Sequence, residues 1–210
     1  MIELLSSHPD EWQIWSYHAE WLSHKMAFMS HVWGFLFQGE NGWRKEAGNH
    51  MAWRQGADTF SAEWPAVCPR SAVSQIADIG QTIHAYAFNP PLSDEEKWML
   101  QRWILEKQNT PYDIWLCTNR ALARVAALTG RIVPVVDFTG EMAFICYEYI
   151  ARGINLIGYR KDLRIGVDRM RSLGNREIVN PTTFGPPDLW ALAAVGRLTY
   201  RGIVTQESAA

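Results

Sequence analysis

The chain has 210 residues, enough for one domain with a full core, and its net charge of −2 supplies no long-range attraction for a phosphate backbone. That balance argues against nucleic acid as the main partner. Three cysteines, Cys68, Cys117 and Cys146, are too few and too scattered for a disulfide framework or a zinc knot, and no apolar run approaches the ~20 residues of a membrane span.

Taken in order, residues 1–10 lack a basic segment followed by a long apolar core, so the expectation is synthesis in the cytosol without a secretory signal. Residues 1–27 are rich in tryptophan, with Trp12, Trp15 and Trp21 at a spacing that predicts one amphipathic helix from about Asp10 to Lys25. His8, His18 and His24 lie there without an i, i+4 pair, so no metal and no cofactor are expected. The pattern then changes. Residues 26–37 predict a strand carrying His31 on the side of Trp33, Phe35 and Phe37, and a turn over 38–42 leads to a partner strand over 42–47 that returns Glu46 toward His31.

Residues 48–80 read as irregular, broken by Gly48, Gly56, Pro65, Pro69 and Gly80, with Cys68 as a structural residue. A strand follows over 81–88. Ser93 and Glu96 form a capping box that opens a helix from Asp94 to about Gln108, with Trp98, Leu100, Trp103 and Ile104 as its buried face and Leu105 at its margin. A second helix runs from Ile114 to about Leu128 and stops at Gly130, and residues 132–136 form a brief strand or an extended linker. Arginines crowd residues 160–176, a solvated surface or an anion site. Pro186 opens a last helix to about Val195, residues 197–204 form a final strand, and 205–210 are a tail.

The chemistry concentrates in residues 138–153. Cys146, Tyr149, Ile150 and Gly153 recur at helical spacing, which holds the thiol on the face packed against the protein. A thiol near a helix start feels the partial positive charge of unpaired N–H groups, which favours the nucleophilic thiolate. The same pattern also fits a small core residue.

Four segments in this order resemble the circularly permuted papain-like amidases of the NlpC type, relatives of the lecithin–retinol acyltransferases. They are Ser30-His31-Val32 followed by Glu46-Ala47, then residues 92–96 through Pro111-Tyr112-Asp113, then residues 144–148, and last Pro187-Asp188-Leu189 with Val195-Gly196. The resemblance spans roughly residues 28–204. It implies an α+β papain-like fold, an antiparallel sheet with packed helices; residues 1–27 stand ahead of that span as a Trp-rich arm, covered either by the domain's own sheet or by another chain. It also implies Cys146 as nucleophile, His31 as base, Glu46 as the orienting residue and Tyr112 as a hydroxyl near the oxyanion. Two departures stand out: Tyr147 follows the cysteine where the family usually has Ser, and no Gly-Asp strand is evident ahead of the His strand.

The implied activity is a cysteine amidase or endopeptidase cutting an amide bond in peptidoglycan stem peptides, without metal or cofactor. Lacking a secretory signal, such an enzyme would reach the wall carried in a phage particle with its arm docked on a tail protein, or be released by lysis, or act on a cytosolic substrate that is not wall. The rivals are a non-catalytic virion or scaffold protein and a lipid acyltransferase or hydrolase with an apolar channel beside Cys146.

Overall fold

The computed structural model describes residues 11–18, 50–63, 65–72, 82–161, 179 and 184–204. The predicted hairpin over 26–47, and with it His31 and Glu46, lies outside the described residues, as do Trp21 and most of the arginine-rich stretch. Among the described residues the strands are β1 (Gln13–His18), β2 (His50–Gln55), β3 (Asp58–Ala62), β4 (Val67–Ser71), β5 (Thr82–Phe88) and β6 (Leu198–Val204). They form one antiparallel sheet in the order β4-β3-β2-β1-β5-β6. The helices are α1 (Asp94–Glu106), α2 (Ile114–Leu128), α3 (Cys146–Lys161) and α4 (Pro186–Ala194). The class is α+β, as expected. No helix among the described residues is long and apolar enough to cross a membrane.

The largest departure from expectation is at the N-terminus. Where the spacing predicts a helix over 10–25, residues 13–18 are β1, hydrogen-bonded between β2 and β5 in the middle of the sheet. Strand alternation explains how both tryptophans are covered: Trp12 and Ile14 join the main core with Met51, Trp53, Tyr86 and Phe88, while Trp15 and Tyr17 join a second cluster on the other face with Ala52, Ile83, Ala85 and Val204. A strand apolar on both faces lacks the simple alternation of a half-buried one, and the three-residue step from Trp12 to Trp15 imitates a helix. These residues are therefore part of the sheet and not an exposed arm.

Residues 50–71, expected to be irregular, are three strands. Gly56 is not a breaker but half of a two-residue hairpin turn, with φ of 56°, between the paired Gln55 and Asp58. Pro69 is tolerated because β4 is the edge strand. Helix α1 begins at the predicted capping box, with Ser93 and Glu96 each satisfying the other's backbone. Its buried face is Leu100 and Ile104 with Trp103 half-buried, whereas Trp98 is exposed, its ring under the Arg102 guanidinium.

Helix α3 packs on β2 and β3 at very short range. A Cβ placed on Gly153 would lie 2.5 Å from Trp53 Cζ2, so only glycine lets the helix axis come this near the indole, itself stacked on Phe88. Gly153→Ala forces helix and sheet apart and is expected to lower stability by about 1–3 kcal/mol, read from urea unfolding. Removing residues through His18 takes a central strand from the sheet and is expected to yield aggregate; a soluble, cooperatively folding truncation would show that β1 is dispensable.

Candidate active site

Helix α3 starts at Cys146, so the thiol lies where the first backbone N–H groups of the helix point outward. The chain enters it from a short 3-10 turn at Gly140–Met142 and an extended pair, Phe144 and Ile145. Cys146 is buried, in one cluster with Tyr112, Cys117 and Tyr147.

The histidine that meets this thiol is His50, the first residue of β2. The β2–β3 hairpin pairs Trp53 with Phe60, Arg54 with Thr59 and Gln55 with Asp58; continuing that register sets Glu63 opposite His50. His50 Nε2 lies 3.5 Å from Glu63 Oε1. The imidazole ring rests against Tyr17, its partner on β1, with centroids 5.3 Å apart. Glu63 is in turn fixed by Ser61, which donates to Oε1 at 2.7 Å, and by Arg70, 2.5 Å from Oε2.

Electrostatics follow from this grouping. Burial alone would push the His50 pKa down, but the Cys146 sulfur and the Glu63 carboxylate, each hydrogen-bonded and attractive to the imidazolium, raise it to about 10. Burial would raise the Glu63 pKa, yet His50, Ser61 and Arg70 lower it to about 2. His50 is thereby a charged imidazole set between the Cys146 sulfur and the Glu63 carboxylate.

Tyr112 is brought to the same place by backbone pairing. Its N–H donates to Pro65 O at 2.9 Å, just past Glu63, while Phe144 N–H donates to Pro111 O at 3.0 Å and Asp113 N–H to Phe144 O at 2.9 Å, just before Cys146. The Tyr112 hydroxyl is 3.4 Å from Cys117 Sγ. Burial and then the charges of Cys146 and Cys117 push its pKa well above the usual phenol range, so it stays a protonated donor. Burial likewise lifts the Cys117 thiol to about 11, against the opposing hydrogen bond from Tyr112, leaving it a poor nucleophile.

A chain of hydrogen bonds holds these segments in register. Arg152 on α3 reaches Glu148 at 2.7 Å and Asp137 at 2.6 Å. Asp137 Oδ1 accepts the N–H groups of Thr139 and Gly140, at 3.0 and 2.7 Å. The Thr139 hydroxyl donates to Asp113, which caps α2 through Leu116 N–H at 2.7 Å. The circuit thus leaves α3, crosses the 137–140 turn, and returns through Tyr112 and Phe144 to Cys146.

Of the residues singled out from sequence, the structure brings Tyr112 and Cys146 together; His31 and Glu46 lie outside the described residues. His50 and Glu63 escape sequence reasoning because residues 48–80 read as irregular. The available signal is the Gly56-Ala57 turn, which by itself pairs 50 with 63.

The His50–Glu63 pair gives stability a definite pH window. The His50 contribution is full below its ordinary 6.5 and is lost as pH rises through about 10; the Glu63 contribution is present above its ordinary 4.5 and is lost as pH falls through about 2. Glu63→Gln is therefore expected to flatten the acid limb of unfolding free energy against pH and to move the alkaline limb downward, and an unchanged profile would show that the pair is not formed. Comparison of the chain with protein-family models, curated proteins and solved structures gives no match.

Proposed function

We propose that the protein is a papain-like cysteine hydrolase of the permuted, NlpC-type kind, with Cys146 as nucleophile, His50 as base and Glu63 as the residue that orients and charges the imidazole. The observation that carries this is His50 held between the thiol at the start of α3 and a carboxylate fixed by Ser61 and Arg70. The histidine precedes the cysteine in the chain, as the permuted enzymes have it, and chain order leaves the chemistry unaffected. The strand ahead of the histidine strand, missing from the sequence pattern, has a counterpart in β1.

The mechanism follows from the groups present. The Cys146 sulfur attacks the carbonyl carbon, and the oxyanion is met by the Cys146 backbone N–H and the Tyr112 hydroxyl. The C–N bond breaks as the imidazolium of His50 gives its proton to the leaving amine. Water, deprotonated by His50, then cleaves the thioester and restores the thiol. Glu63 holds the imidazole in place beside the sulfur. The substrate class that the resemblance implies is the peptidoglycan stem-peptide amide, with carriage in a phage particle as the proposed route of delivery.

A second reading has an observation of its own. Ile114, Trp115, Phe138 and Met142 are 50–74% exposed, and they lie on the two segments that hold Tyr112 and lead into Cys146. Large apolar side chains beside a reactive thiol suit an acyl lipid, which favours the lipid acyltransferase or hydrolase among the rivals.

Iodoacetamide at neutral pH is expected to alkylate Cys146 well before Cys117, with mapping of the modified peptides as the measurement. With stem-peptide and acyl-lipid substrates assayed in parallel, Cys146→Ala and His50→Ala should each remove roughly 10⁴-fold of turnover and Glu63→Gln less. His31→Ala should leave activity in place; a dead His31 variant beside an active His50 variant would return the base to His31.

A further inference from the structure

We infer that the outward face of α2 is an interface between two copies of this chain, packed helix against helix in antiparallel fashion. It is independent of the chemistry at Cys146. Helix α2 has an inner side on which Leu116 and Arg120 are buried, but its outer side lacks the charged residues that solvate a surface helix. Trp115, Thr118, Leu122 and Val125 are all exposed, and they follow one another at alternating steps of three and four residues, the spacing of a two-helix seam. The positions beside that seam are Ile114, Asn119, Ala121, Ala126 and Leu128, again uncharged. The two charged residues of the helix, Arg120 and Arg124, fall elsewhere in the repeat.

Area, fit and charge select a second copy as the occupant. A specific interface takes about 800 Å² from each partner, and one Trp carries about 150–250 Å². Trp115 is 73% exposed, Leu122 59% and Val125 49%, and Leu128 and Ile132 extend the same apolar surface past the end of the helix, which brings the face to that order. Turned antiparallel, the seam sets Trp115 against Val125 of the partner subunit and Leu122 against Thr118 of the partner subunit, so each larger side chain meets a smaller one. Thr118 spends its hydroxyl on the Ile114 carbonyl at 2.8 Å, so covering it strands no donor. Ala121 and Ala126 let the axes approach to about 8–10 Å, and the opposed helix dipoles attract. A membrane surface suits the face less well, because a net charge of −2 gives no pull toward anionic lipid. The pairing seats the partner on Trp115, one of the apolar residues flanking Tyr112 and the entry to Cys146.

Sedimentation velocity on the full chain tests this, with thermal unfolding recorded for every variant. Interfaces of this size bind in the micromolar range or tighter, so wild type should sediment as a dimer at about 50 μM. Leu122→Glu and Thr118→Lys, both at exposed positions, should each weaken association by about thirtyfold or more without lowering the unfolding temperature. Mixed in equal amounts, the two variants should recover a dimer, because the introduced carboxylate and ammonium face each other only when the helices run antiparallel. A wild-type chain that stays monomeric at that concentration overturns the inference, as does a Leu122→Glu chain that dimerises like wild type. A mixture that stays monomeric overturns the antiparallel pairing. Monomeric wild type that floats with phosphatidylcholine–phosphatidylglycerol vesicles, where Leu122→Glu does not, overturns it in favour of a lipid surface. If Leu122→Glu does not fold, Thr118→Lys decides: a folded monomer supports the interface and a wild-type dimer overturns it.

Discussion

The close seating of α3 on the indole of Trp53 is the contact on which the site depends. Cys146 and Gly153 share one rigid helix, two turns apart, and His50 and Trp53 share one strand, so the separation of helix and strand at Gly153 sets the separation of sulfur and imidazole. Interiors pack too densely to absorb a methyl group at 2.5 Å without shifting something. Trp53 cannot yield, because it is fully buried and stacked on Phe88 of β5. β1 ties those two strands together, which makes the central placement of Gln13–His18 a condition for the site and not only for the core.

The second constraint is that Tyr112 and the chain entering Cys146 are not free to move separately. Each backbone group of residues 111–113 and of Phe144 that bonds across the gap fixes one segment against the other, and the Asp113 side chain ties both to the 137–140 turn. The turn in turn hangs on Arg152, whose position on α3 is one helical turn beyond Glu148. In the proposed mechanism a hydroxyl carried on a segment fixed in this way is preorganised for an oxyanion formed beside it.

Much of this is legible in the sequence wherever a local rule acts alone. The capping box at Ser93, the stop at Gly130, the Pro186 helix start and the placement of Cys146 at a helix N-terminus are each decided by residues within a few positions, and each is found where the pattern puts it. What escapes is decided at long range. Whether Trp12 and Trp15 lie on a helix or a doubly covered strand depends on β2 and β5 arriving on either side, which no window of six residues contains. Gly56 reads equally as a breaker or as a hairpin turn until β3 is there to pair, and the loss of that hairpin conceals His50 and Glu63 together. Trp98 has the right spacing for the core of α1, yet it is exposed under the aliphatic and guanidinium reach of Arg102.

The apolar rim and the site are mechanically one object. Ile114 and Trp115 follow the Asp113 cap directly, and Phe138 and Met142 flank the Thr139 that donates to it, so the four exposed side chains project from the same two backbone segments that Asp113 and Thr139 join. Covering the rim removes apolar surface from water at about 25 cal/mol per Å², and that free energy is delivered to the two segments that Asp113 and Thr139 join. Gly140, with φ of 56°, gives the 3-10 turn the left-handed backbone it needs. A ligand that packs on Phe138 and Met142 therefore acts on the turn just ahead of Cys146, while one that packs on Ile114 and Trp115 acts on the helix start just past Tyr112. Binding energy gathered at the rim is thereby coupled to the geometry of the proposed nucleophile and oxyanion donor, the condition under which remote contacts raise turnover instead of only tightening the complex.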